Sequence, residues 1–169
     1  MVKVRKGFTL VELLIVIVII GILAAAMLLS SGSATASAEA SNVVTELRNL
    51  KAASMMLFAD SMDDTRASGF ATLINGNASA AKVYLGKYMD NPEKLTTNFL
   101  LKISTVGGGP KWFVGYNLTG AKVTDEVKDK LAGRAKSTGL LAGAASDAAP
   151  TTLSTYFEKS DSSVWLVAR

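Results

Sequence analysis

Residues 8–29 form an apolar run broken only by Thr9, Glu12 and Gly21, and this run limits the chain's possible folds more than any other feature. As an α-helix, its 22 residues extend roughly 33 Å at ~1.5 Å per residue, enough to cross a hydrocarbon core of about 30 Å. It reads as a membrane span. Lys3, Arg5 and Lys6 precede it, and no charge of either sign lies between Glu12 and Glu39. That asymmetry places the N-terminus in the cytoplasm and the rest of the chain beyond the inner membrane.

Glu12 is costly in such a span, because a carboxylate facing lipid is penalised by several kcal/mol unless it is neutralised or paired. A plain anchor gains nothing from it. Phe8 lies four residues earlier, one helical turn away. Cutting the bond between Gly7 and Phe8 would create a cationic amine near this acid, on the same helix or a neighbouring one. Pairing of that kind makes helix packing depend on register.

Residues 7–17, Gly-Phe-Thr-Leu-Val-Glu-Leu-Leu-Ile-Val-Ile, resemble the cleavage and methylation signature of type IV prepilins and of the pseudopilins of type II secretion. The resemblance covers about the first 25 residues. It implies a short basic leader, residues 1–7, removed after Gly7 by a prepilin peptidase on the cytoplasmic side. Phe8 would become the N-methylated new terminus, and Glu12 the acid that pairs with a neighbouring subunit's N-terminus. The family also implies a homo-oligomeric helical filament raised by a pilus or secretion assembly machinery. The subunit waits in the bacterial inner membrane and ends in an extracellular pilus or a periplasmic pseudopilus. One departure is visible: no proline occurs before Pro92, so any kink in the span falls to Gly21 or to Ser30-Ser31-Gly32-Ser33.

Composition narrows the remaining functions. Cysteine and histidine are both absent, which removes disulfides, thiolate and histidine metal sites, and the Ser-His-Asp and Cys-His nucleophile systems. No catalytic residues, metal ligands or cofactor site are expected, and the chain does not read as an enzyme. The formal charge is +4, but setting aside Lys3, Arg5 and Lys6 leaves 15 basic residues against 14 acidic ones. Nucleic-acid binding is therefore not supported by bulk electrostatics. Asp60, Asp63 and Asp64 lack the spacing of a calcium loop and read as a solvated helix end.

Residues 30–62 continue in helical style, with Val43, Leu47, Leu50, Ser54 and Leu57 on one face. The Ser- and Ala-rich join over residues 30–41 reads as small-residue helix or as a joint. Residues 63–169 read as a globular head. In it, residues 99–106 and 111–118 flank Gly107-Gly108-Gly109-Pro110 as a hairpin, and residues 153–157 and 164–168 suggest a second. Between them, residues 125–136 carry acids first, bases later, and apolar Val127, Leu131 and Ala135 at four-residue steps, a short helix matched to its dipole. Trp112, Phe113, Tyr116 and Trp165 read as core and cross-strand packing rather than a ligand surface. The fold class is α+β: a long N-terminal helix on a small antiparallel sheet, the pilin roll that the family resemblance implies.

The expected function is a structural filament subunit. The alternatives are a pseudopilin of a type II secretion system, a minor pilin acting as a DNA- or surface-binding module, and a secreted protein with an ordinary signal peptide cut in the small-residue sequence 34–38.

Overall fold

The computed structural model describes residues 7–61, 78–89, 92, 98–119, 121, 123–144 and 148–169. Lys3, Arg5 and Lys6, together with Asp63 and Asp64, lie outside them. The elements in chain order are helix α1 (Leu10–Ser61), helix α2 (Ala78–Leu85), a 3-10 turn (Gly86–Tyr88), strands β1 (Phe99–Val106) and β2 (Gly109–Asn117), helix α3 (Asp125–Thr138), and strands β3 (Leu141–Ala142) and β4 (Ser163–Val167). A long N-terminal helix and a small antiparallel sheet make this the expected α+β arrangement.

The chain divides into two compact units, Met1–Thr35 and Ala36–Arg169, and α1 contributes to both. In the first unit the side chains of residues 8–28 are all exposed, although most are apolar. An 18-residue window there has a mean hydropathy of 3.1, and the helix is long and apolar enough to cross a membrane. Within hydrocarbon, a helix satisfies every backbone donor and acceptor inside the segment, so an apolar run of this length has helix as its available form. Gly21 and Gly32 both lie inside α1, which is helical throughout Leu10–Ser61. The join over residues 30–41 is helix as well.

In the second unit, α1 buries Ala36, Ala40, Val43, Val44, Leu47, Leu50, Ala53, Ser54 and Leu57, a stripe with three- and four-residue steps. The buried Ser54 hydroxyl donates to the Lys51 carbonyl at 2.7 Å, so the stripe leaves it satisfied. The sheet has strand order β1-β2-β4-β3 with every pair antiparallel. Register sorts its residues onto two faces. Leu101 opposite Val114, and Val114 opposite Leu166, point into the core shared with α1 and with Val127, Leu131 and Ala135 of α3. The other face carries Phe113 and Trp165, packed with Val106, Leu141 and Ala149.

The β1–β2 hairpin turns through Gly107 and Gly108, with φ of 64° and 87°. Two consecutive positive φ values suit a two-residue turn of the type that matches strand twist, and glycine adopts them without steric cost. The hairpin is tighter than the sequence suggests, since Gly109 and Pro110 already pair with Val106 and Thr105. Gly115 has a different reason to be glycine. A Cβ there would stand 2.4 Å from Trp165 Cε3, so the indole occupies the space a side chain would need.

The second hairpin expected from residues 153–157 and 164–168 is corrected by the structure. β4 pairs with β2 on one side and with β3 on the other, while Tyr156 makes only an isolated bridge to Leu141. Phe157 is buried, and its N–H donates to the Leu140 carbonyl at 3.1 Å. Residues 155–157 therefore run beside β3 rather than beside β4. The fourth strand is the two-residue β3, which follows α3 directly after the cap at Gly139, whose N–H donates to the Ala135 carbonyl. α2 and its 3-10 turn are also additions to the sequence reading; they bury Leu85 and bring the Tyr88 hydroxyl to donate to Asp60.

Candidate functional site

The residues singled out by the sequence lie at the start of α1. Gly7, Phe8 and Thr9 precede the helix, which begins at Leu10, and Phe8 is 86% exposed. A Cβ added at Gly7 would meet no heavy atom within 4 Å. Among the described residues, nothing around it requires glycine there.

Thr9 and Glu12 form a reciprocal pair. The Thr9 N–H donates to Glu12 Oε2 at 2.7 Å, the Thr9 hydroxyl donates to the same oxygen at 2.8 Å, and the Glu12 N–H donates to Thr9 Oγ1 at 3.2 Å. This is a capping box, in which a threonine at the helix entrance and an acid three residues later satisfy each other's backbone donors. The carboxylate also sits where the positive end of the helix dipole favours it. Sequence reasoning paired Glu12 with the amine that cleavage would create at Phe8, on the same helix or a neighbouring one, and did not pair it with Thr9. The signal for the box was present, since Thr9-Leu10-Val11-Glu12 carries the Ser/Thr-x-x-Glu pattern just before an apolar run.

From Leu10 to Leu28 the remaining side chains form an apolar surface exposed on every side of the helix. A helix that is apolar all round is one built to be surrounded by lipid or by other helices. Glu12 is the one ionisable group on that surface.

The other candidate residues fall into the head's packing. Trp112, Phe113 and Trp165 are buried, and Tyr116 is half-buried with its ring 5.0 Å from that of Phe99 in an edge-on contact. Asp60 accepts the Tyr88 hydroxyl hydrogen bond. Both arrangements are structural.

Residues 2–28 match the family model of the prokaryotic N-terminal methylation motif. No curated protein and no solved structure matches the chain. The motif supports a type IV pilin-like or pseudopilin precursor, and implies processing by a prepilin peptidase and assembly into a pilus-type filament. With the apolar helix that carries it, it fits a membrane-anchored precursor.

Proposed function

We propose that the chain is a structural subunit of a type IV pilus or a closely related filament, without catalytic chemistry of its own. The observation that carries this reading is the single carboxylate, Glu12, on the otherwise apolar and exposed helix surface of residues 10–28, inside the matched methylation motif. In this reading the peptidase cuts between Gly7 and Phe8, and the new amine of Phe8 is methylated. Among the described residues none makes a steric demand for glycine at position 7, which supports a role for Gly7 in recognition by the peptidase rather than in folding.

Assembly then follows from electrostatics and packing. In a bundle of apolar helices the dielectric is low, so an ammonium at Phe8 of an incoming subunit gains far more from meeting Glu12 than it would in water. The surrounding leucines, valines and isoleucines supply the contact surface, and the one acid fixes the register. A pseudopilus would use the same residues.

The ordinary signal-peptide reading fares worse for a physical reason. The small-residue sites at residues 34–38 lie inside α1, where Ala36 is buried and Ser37 is hydrogen-bonded to Arg134. A cut after Ala38 would remove both from the head.

N-terminal sequencing and intact-mass measurement of the protein recovered from its native membrane test the proposal. The expected chain begins at Phe8 and carries one methyl group. A chain beginning at Glu39, or one retaining residues 1–7, would overturn it.

A further inference from the structure

Helix α1 is held to the head unevenly. From Val43 onward it rests on large side chains, Val43, Val44, Leu47, Leu50 and Leu57, all buried. Over residues 36–42 its only buried side chains are those of Ala36 and Ala40, which bring little apolar area to the contact. The same turns are rich in residues that favour other backbone states. The Ser41 hydroxyl donates back to the Ser37 carbonyl at 2.8 Å and the Thr45 hydroxyl to the Ser41 carbonyl at 2.9 Å, a pattern that slightly weakens and bends helices.

One residue from another element grips these turns. Arg134, near the end of α3, donates from Nη1 to Ser41 Oγ at 2.7 Å and from Nη2 to Ser37 Oγ at 2.8 Å. The two serines are four residues apart, one turn of helix, and the planar guanidinium presents two donors fit to span them. Its own base is firm: the Ser137 and Thr138 hydroxyls donate to the Arg134 carbonyl, and neighbouring Leu131 and Ala135 are buried.

We propose that Arg134 is a clasp that sets where α1 begins to open from the head. With the fork in place, residues 36–42 stay helical and docked; without it, opening runs back to Val43, where the large apolar contacts begin. Arg134 is a positioning residue, and the proposal does not depend on the filament reading.

Hydrogen exchange of the full chain in detergent micelles, followed peptide by peptide, tests it. Arg134→Met keeps an apolar stem and removes the fork. Amides of residues 36–44 are expected to exchange about ten-fold faster in this variant, while peptides from β2 and β4 keep their wild-type rates. Arg134→Lys, with a single point charge on a flexible stem, is expected to restore part of the protection. In a Ser37→Ala/Ser41→Ala background there is no hydroxyl to grip, so Arg134→Met should add no further acceleration. Unchanged exchange over residues 36–44 in Arg134→Met would overturn the proposal. So would an equal acceleration across the whole head, or an undiminished effect in the serine-free background.

Discussion

Glu12 serves two demands at a single position, and they are separable by mutation. Inside the chain it closes the capping box with Thr9. Between chains, in the proposed filament, its charge meets an amine. Thr9→Ala removes the cap and leaves the charge, at a cost of about 0.5–2 kcal/mol in the first helical turn. Glu12→Gln keeps a side chain able to complete the box and removes the charge. Filament yield after shearing should therefore stay near wild type in Thr9→Ala, fall in Glu12→Gln, and fall furthest in Glu12→Ala. Membrane insertion should survive in all three, since removing an acid from a span lowers its insertion cost. Normal yield from Glu12→Ala, with low yield from Thr9→Ala, would mean that the cap and not the charge is what assembly needs.

Two hydrogen bonds to carboxylates, one of them an ion pair, fasten elements of the head, and both respond to alkali. Lys159 donates to Asp129 on α3 at 2.6 Å, and this hydrogen bond is the main reason its ammonium is held above the ordinary 10.5, with the charges of Asp129, Asp125 and Glu126 adding to it. Tyr88 donates to Asp60 near the end of α1, and that bond, burial and the carboxylate's charge hold the phenol above its ordinary 10.0. In each case the folded state holds its proton more tightly than the unfolded one. Each contribution is thus fully present below the unfolded pKa and is lost as pH rises through the folded value. Wild type and a Tyr88→Phe/Lys159→Met variant should differ in melting temperature by a constant gap from about pH 7 to 9, closing above about pH 10.5. A gap that stays constant across the alkaline range would show that neither contact carries the linkage. The same scale explains what the sequence disclosed. The α1 stripe, the β1–β2 hairpin and α3 are written in local periodicity and turn chemistry, and each was legible. β3 is two residues long, and the choice of β3 over residues 153–157 as the neighbour of β4 depends on packing between distant segments. Arg134 and its serines are 93 and 97 residues apart, beyond any local pattern.

At the level of the whole molecule, the division after Thr35 gives a practical boundary. A truncated chain of residues 36–169 should be soluble without detergent and melt cooperatively, because it keeps the buried stripe of α1 and both faces of the sheet. One of residues 43–169 should also fold but melt lower by roughly 5 °C or more, since it loses two buried alanines and the partners of Arg134. Equal melting temperatures for the two would show that residues 36–42 contribute nothing to the head. The order of strands has a further result in time. β4 is the last strand in the chain, yet it sits inside the sheet between β2 and β3. As the polypeptide emerges from the ribosome, β1 and β2 can pair only as a two-stranded ribbon, which depends on its packing against α1 to persist in water. β3 has no strand to join. Trp165 arrives with β4, so the space over Gly115 stays unfilled until then. The sheet and its smaller core around Phe113 and Trp165 are thus completed only when β4 is in place, and a chain stalled or clipped before Ser163 leaves β2 with an open edge that other nascent chains can pair with.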